Sequence, residues 1–380
     1  MGDGELRGLA ITGAGSVCVG GVGLDAFAEA LGRDNPQNQE ALAVADALHD
    51  EEMAPPKSLA IPSFDMRAHL GRKGTSFLDR YTGLALVACK DALADAGLEI
   101  GPDNSPRIGV SLGTLTGSLK STSDFSREAQ GSENPLAVSP MLFPNTILNF
   151  AAGQAAIRFA MRGVNATVAG GELAFLHALR YARNALRNGY ADIMLCGGVE
   201  ECSPHSSWAS HLSADPNSRL PSGEGAAVFI LQPSENALRE GRPAMAELID
   251  VVLRYNPGGD RAGFVEAFAA TIADTIAAAG IAASDVTIAA TGDGGEEGRD
   301  QPEAAALALA LGRGCEQIRV KRSFGTLGGA TGALQLAALL ARRRAPKPAK
   351  EIALLTNRSG GGSFGVAVFG ISGCDRADRL

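Results

Sequence analysis

The stretch of sequence that decides the fold lies at residues 188–201 and reads NGYADIMLCGGVEE. Its apolar run, residues 191–198, has the length of a buried strand and stops at two glycines, which is typical of a strand that ends in a turn. The stretch therefore predicts a strand inside a hydrophobic core.

The same pattern returns along the chain. Further apolar runs that end at a turn lie at residues 9–15, 107–113, 286–292 and 351–356. Alanine-rich helical stretches lie between or beside them, at residues 78–96, 173–188, 263–279, 302–311 and 332–343. Because strands alternate with helices, we expect an α/β fold with a largely parallel sheet that is covered on both faces.

The strand-and-helix pattern runs twice, and no linker-like segment separates the two runs. It indicates two similar halves, residues 1–235 and residues 236–380. Residues 32–62 are polar, acidic and interrupted by prolines, which predicts a surface insertion.

Composition excludes several function classes. The chain has 380 residues and a formal net charge of −8, whereas nucleic-acid-binding proteins usually carry a basic surface. Its six cysteines lack CxxC spacing and its five histidines lack metal-ligand spacing, so we expect no metal site. A dinucleotide fingerprint in its usual strand–helix context is missing, so no cofactor is expected. Without a signal peptide or an apolar run of roughly 18 residues, the sequence favours a cytoplasmic protein with no membrane contact.

Five segments resemble the β-ketoacyl synthases of the thiolase superfamily. LAITGAG at residues 9–15 resembles the family's first strand and turn, and LDRYTGLALVACKDALADAGL at 78–98 its first long helix. SPMLFPNTILNFAAGQAAIRFAMRG at 139–163, the stretch at 188–201 and VKRSFGTLGGATGA at 320–333 are similar to three further family motifs. The resemblance implies a thiolase-like five-layer αβαβα fold built from two similar halves.

The resemblance also implies that the catalytic residues are replaced. Family ketosynthases use one cysteine and two histidines, and the position of the cysteine falls on Glu172. The position of the first histidine carries Thr291 or Gly292, depending on a one-residue gap, and that of the second carries Thr326. Loss of all three groups predicts that this chain alone does not catalyse condensation.

One catalytic-site residue of the family is retained. The family's lysine is present as Lys321, whereas its glutamate partner reads as Gln335 and its gating phenylalanine as Gly361. A carboxylate is thus gained at residue 172 and lost at residue 335. We therefore expect Glu172 and Lys321 to form a buried ion pair that fills the former active-site pocket. The alternative is that Glu172 caps its helix or points into solvent.

Chain-length factors of type II polyketide synthases are the class within this family that keeps the fold and loses the cysteine. Resemblance to them implies a non-catalytic subunit of an acyltransferase complex, which pairs with an active ketosynthase and shapes the tunnel for the growing chain. It places five residues at the tunnel and the subunit interface, namely Thr116, Leu119, Phe143, Ile147 and Phe150. For the last three, interface core without a role in chain length is the open alternative.

The expected partners are therefore a ketosynthase, in a heterodimer, and an acyl carrier protein. We expect the carrier protein to dock mainly on the ketosynthase, because a chain of net charge −8 does not attract an acidic carrier.

Two other functions remain open at this point, a malonyl-thioester decarboxylase and a homodimeric acyl-binding scaffold. Chain-length factors usually carry glutamine at the cysteine position, and its amide can donate a hydrogen bond to a malonyl thioester. An ionised Glu172 cannot donate, which disfavours the decarboxylase.

Overall fold

A computed structural model describes residues 8–32, 58–62, 64–131, 138–213, 220–257, 261–294, 301–312, 314–342 and 351–372. The strands are β1 Leu9–Cys18, β2 Gly21–Val22, β3 Ser58–Leu59, β4 Ile108–Thr114, β5 Asn165–Ala169, β6 Ile193–Glu200, β7 Ser222–Gly223, β8 Gly225–Pro233, β9 Ala246–Tyr255, β10 Val286–Thr291, β11 Glu316–Ile318, β12 Glu351–Arg358 and β13 Ser363–Ile371.

The helices of the described residues are numbered in chain order. They are α1 Leu24–Leu31, α2 Met66–Leu70, α3 Arg80–Asp95, α4 Leu119–Gly131, α5 Phe150–Arg158, α6 Ala174–Arg187, α7 Pro204–Ser213, α8 Ser234–Arg239, α9 Arg261–Ala278, α10 Gln301–Leu311, α11 Lys321–Phe324 and α12 Thr331–Ala341. Each predicted strand and helix is present, with ends that shift by a few residues.

Both halves of the chain build the same sheet topology. The large sheet has the order β11-β10-β12-β13-β9-β1-β8-β6-β4-β5, with β2 beside β1. Each half contributes five strands to this path, and in each the third strand is outermost, followed by the second, fourth, fifth and first. The two first strands, β1 and β9, pair in the middle. The division at residues 235/236 falls in α8, between the two units, and stays a prediction.

The sheet is mixed, so the expectation of a largely parallel sheet is wrong. Strands β4 and β10 pair in parallel with both of their neighbours. Strands β8, β1, β9 and β13 join antiparallel. The reason is visible between β12 and β13, where residues 359–362 reverse the chain as a hairpin, a connection that only antiparallel strands allow. The sequence pattern did not predict β8, β9 or β13.

Three hydrophobic clusters lie between the layers of helices and strands. The central cluster contains α6 and α12 and lies between the two half-sheets. A second contains α3 and α5 against the outer face of the first half-sheet. The third contains α9 and α10 against the outer face of the second. Helix α12 is buried over its whole length, which explains its alanine- and leucine-rich sequence.

The turn that carries Glu172 depends on a close approach between β4 and α6. A Cβ atom at Gly113 would lie 2.5 Å from the backbone carbon of Ala174, so the two backbones touch where a side chain has no room. This contact fixes the start of α6, and with it Glu172, against the sheet.

The predicted surface insertion is wrong at its C-terminal end; residues 33–57 lie outside the described part. Ser58 and Leu59 are buried and pair with β7, and the backbone N–H of Ile61 donates to the buried carboxylate of Glu224. None of the helices in the described ranges has the length and apolar character needed to cross a membrane.

Candidate functional site

Glu172 and Lys321 meet just before α6, at the position that the sequence resemblance assigns to the family's cysteine. Glu172 lies in a 3₁₀ turn, Gly171–Leu173, which leads into α6, and Gly171 has the left-handed φ of 60° that this turn requires. Lys321 is the first residue of α11, and its Nζ donates to Oε1 of Glu172 over 2.7 Å. The predicted ion pair is therefore confirmed. No side-chain cap bond is made at this turn or at the start of α6, which leaves the capping alternative without support.

Burial of the pair is unequal, and this corrects the expectation of a filled pocket. The side chain of Lys321 is 7% exposed, but that of Glu172 is 35% exposed. A cavity of about 330 Å³ remains beside Glu172. This volume is at the lower end of the roughly 300–1,000 Å³ that small-molecule sites occupy.

Four of the predicted site residues line this cavity, namely Glu172, Thr326, Thr116 and Leu119. The hydroxyl of Thr326 donates to the carbonyl of Pro221 over 2.9 Å. The remaining lining residues are Leu115, Glu200, Glu201, Ser206, Ala209, Ser210, Ser213, Leu220, Ser222, Gly223 and Gly328.

Thr291 and Gly292 are not among the lining residues. Both are buried, and the backbone N–H of Gly292 donates to Oε1 of Glu303 over 3.1 Å. Burial raises the pKa of Glu303 to about 7, against the lowering effect of its hydrogen bond from Thr356.

Gln335 takes no part in the Lys321 ion pair. Its side-chain nitrogen donates to the carbonyl of Thr356 over 3.1 Å, and its oxygen accepts from Asn357 over 2.7 Å. A neutral amide satisfies both neighbours here, which leaves Glu172 as the carboxylate bonded to Lys321.

The three remaining tunnel candidates lie at the surface and do not line the cavity. Phe143 is 53% exposed and Ile147 is 42% exposed, and Phe150 is half-buried at the start of α5. The ring of Phe143 packs on that of Phe125 in α4, with centroids 5.8 Å apart. Gly361, at the position of the gating phenylalanine, is exposed.

Glu200, at the end of β6, bonds to two other segments beside the cavity, at residues 115–116 and at Gly329. Its fully buried carboxylate accepts from the backbone N–H groups of Leu115, Thr116 and Gly329 over 2.7, 3.2 and 2.9 Å, and from the hydroxyl of Thr116 over 3.0 Å. Burial raises its pKa, and these four bonds act in the opposite direction because they favour the charged form.

Glu201 joins the starts of two helices. It accepts from the backbone N–H of Tyr81 in α3, from the hydroxyl of Ser118, and from the backbone N–H of Lys120 in α4, over 3.2, 3.0 and 3.4 Å. Burial raises the pKa of Glu201 to about 8, and the nearby Asp79 adds to the rise while the bond from Ser118 lowers it.

Sequence reasoning missed the serines of the cavity wall. Ser206, Ser210 and Ser213 lie on α7 and line the cavity together. Their spacing of four and three residues places them on one helical face, so the signal was present in the segment SPHSSWASHLS. The serine spacing alone does not indicate a binding site, and this segment carries no family motif that would.

Comparisons with known proteins identify the family. Residues 7–237 match the family described as "Beta-ketoacyl synthase, N-terminal domain". The 3-oxoacyl-[acyl-carrier-protein] synthase 2 of Vibrio cholerae serotype O1 is 26% identical over 303 residues, 72% of each chain. The structure is similar to that of the ishigamide ketosynthase/chain length factor, with 31% identity and a TM-score of 0.78, covering 96% of this chain and 100% of that one.

A third likeness shows the fold alone. It is to a type II polyketide synthase acyl carrier protein in complex with its ketosynthase, with 17% identity, a TM-score of 0.76 and coverage of 96% of this chain and 100% of that one. The chain belongs to the β-ketoacyl synthase family, and its fold is the thiolase-like fold of that family.

The unequal burial of the ion pair predicts unequal costs of breaking it. Glu172→Gln should lower the free energy of unfolding by about 1–3 kcal/mol, less than the ~3–5 kcal/mol of a fully buried pair. Lys321→Met should cost less, because the carboxylate that it leaves behind reaches water. Urea unfolding of both variants and of the double variant measures this, and additive costs would contradict the pairing.

Glu201 predicts a loss of stability as the pH rises. Its folded pKa of about 8 lies above the ordinary 4.5, so between these values the folded chain holds a proton that the unfolded chain releases. Stability therefore falls with rising pH, by at most about 1.4 kcal/mol per unit from this one group. Glu201→Gln should flatten the slope between pH 5 and 8 in urea unfolding. Glu99→Gln, at an exposed position, is the control, and equal slopes in all three proteins would refute the assignment.

Proposed function

We propose that this chain is the non-catalytic chain-length factor of a type II polyketide synthase, which pairs with an active ketosynthase and shapes the acyl-chain tunnel where the two subunits meet. The observation that carries the proposal is the ion pair at the nucleophile position. Glu172 has no thiol to take up an acyl chain, and its carboxylate is bonded to Lys321. The 31% identity to the ishigamide ketosynthase/chain length factor, over nearly the whole chain, supports the same role.

An exposed apolar surface supports the pairing with a second subunit. Twelve large apolar side chains are exposed among the described residues, and six of them fall between residues 115 and 157. We call these six the interface patch: Leu115, Met141, Phe143, Ile147, Leu148 and Ile157. Large exposed apolar side chains are what a subunit interface would cover, and half of those in the described residues lie within this stretch.

The edge of the large sheet also supports pairing with a second subunit near the interface patch. Strand β5 is the last strand of the large sheet, and its residues are half-buried or exposed. It is tied to α5 by Asn165, whose side chain donates to the carbonyl of Ala152 over 2.9 Å, so it lies beside the helix that carries Ile157. An open edge next to an apolar surface suits a partner that adds its own strand.

The competing decarboxylase role gains no support from the site. Both oxygens of an ionised Glu172 are acceptors, so this residue has no proton to donate to a thioester oxygen.

Docking of the acyl carrier protein mainly on the ketosynthase remains part of the proposal. Arg342 already pairs with Glu316, through Nη2 and Oε2 at 2.8 Å, and Arg343 and Arg344 lie outside the described residues.

Charge at the interface patch should break the heterodimer. After co-expression with an active ketosynthase of a type II polyketide synthase, native mass spectrometry should show a one-to-one complex. Ile147→Asp or Phe143→Asp should weaken that complex about 30-fold or more, because an unpaired charge would be buried between the subunits. Leu238→Asp, at a residue that is 84% exposed on α8, is the matched control. A stable homodimer of this chain that does not bind the ketosynthase would overturn the proposal.

The size of residue 116 should set product length. Thr116 lines the cavity next to Leu115 of the interface patch, so a larger side chain shortens the space for the acyl chain. With the reconstituted complex, Thr116→Leu should give shorter products and Thr116→Ala longer ones, measured by mass spectrometry. Thr116→Val keeps the volume and removes the bond to Glu200, so it should preserve product length. Identical products from all four proteins would reject the tunnel assignment.

A further inference from the structure

The cavity beside Glu172 joins the former active site to the interface patch. Leu115 lines the cavity and is also 46% exposed as a member of that patch. Leu119, at the start of α4, lines the same space. An acyl chain that crosses from the partner subunit would therefore pass two leucines and reach Glu172 and Thr326.

The wall of the cavity is rich in hydrogen-bond acceptors. Three lining hydroxyls have already given their protons to the protein: Thr326 to Pro221, Ser213 to Ala209 and Thr116 to Glu200, over 2.9, 2.7 and 3.0 Å. A hydroxyl has one proton but two lone pairs, so each of these oxygens still accepts.

Glu172 adds a stronger acceptor to the same wall. Lys321 bonds to Oε1, and the carboxylate as a whole remains 35% exposed beside the cavity. Hydrogen bonds to a charged acceptor are stronger than those between neutral groups. Ser210 and Ser222 supply two further hydroxyls, which makes the wall polar where a ketosynthase would hold an acyl chain.

We propose that this cavity receives the far end of the acyl chain and selects a chain whose end carries a hydroxyl group. The inference rests on the proposed function for the route by which the chain arrives. A hydroxyl donates its proton to Thr326, Ser213 or Glu172, and the bond to the charged Glu172 is the strongest of these. A ketone bonds to none of these three acceptors and can accept only from the neutral hydroxyls of Ser210 or Ser222. A saturated end leaves the polar wall without partners, which is unfavourable once water is displaced.

The test compares three matched probes on the complex with the ketosynthase. The probes are amides of aminopantetheine, in which an amine replaces the thiol of pantetheine. Their eight-carbon acyl groups are 7-hydroxyoctanoyl, 7-oxooctanoyl and octanoyl. Isothermal titration calorimetry should show the hydroxylated probe binding about three- to tenfold more tightly than the other two, the range expected for one net hydrogen bond.

Two variants assign this preference to the cavity. Thr326→Val keeps the volume and Ser213→Ala changes an exposed residue at the end of α7. Each removes one of the three acceptors, so each should reduce the preference for the hydroxylated probe, and the double variant should reduce it further. Thr287→Val removes a surface hydroxyl that bonds to Glu351 and should leave the preference intact. If Thr326→Val fails to fold, Ser213→Ala decides alone.

The outcomes separate this inference from the proposed function. If no heterodimer forms, the same probes are titrated into the isolated chain. A hydroxyl preference there that Ser213→Ala reduces supports the cavity assignment although the proposed function has failed. A heterodimer that ranks the three probes equally, or binds none of them, overturns the cavity assignment and leaves the proposed function standing.

Discussion

The arrangement of the site depends on one buried carboxylate, that of Glu200. It ends strand β6 and accepts backbone N–H groups from Leu115 and Thr116 in the first half of the chain and from Gly329 in the second. Three peptide groups that would otherwise be buried without partners are thereby satisfied. The same bonds hold the segment after β4 in a single position, and Leu115 in that segment belongs both to the cavity wall and to the interface patch.

On the proposed function, the family framework persists around this anchor while its chemistry is replaced. The turn before α6 still presents one side chain beside α11, as a nucleophile turn must, but the side chain is a carboxylate held by Lys321. A buried lysine needs a counter-charge, because desolvation of a lone ammonium is costly. Glu172 supplies that charge from the nucleophile's position, while Gln335 bonds to neutral groups elsewhere. The pair thus preserves the architecture of the site without its nucleophile.

The sequence predicted the parts of this account that depend on motifs. Both ends of the ion pair lie in segments with family spacing, so their meeting followed from the resemblance. The exposure of Glu172 could not be predicted, because it depends on the walls formed by α7 and residues 220–223, which carry no motif. The antiparallel strands were missed for a related reason. Apolar runs such as β8 and β13 show burial but not direction, and direction is set by short connections such as residues 359–362.

The central claim is that chain extension takes place in the partner and that this subunit only shapes it. The most direct measurement is condensation from malonyl-acyl carrier protein by the purified complex, with the nucleophilic cysteine of the ketosynthase intact or replaced by alanine. The account predicts extended products from the intact complex and none from the alanine complex, although both assemble equally. Extended products from the alanine complex would place condensation at the site of Glu172 and Lys321, and would contradict the account.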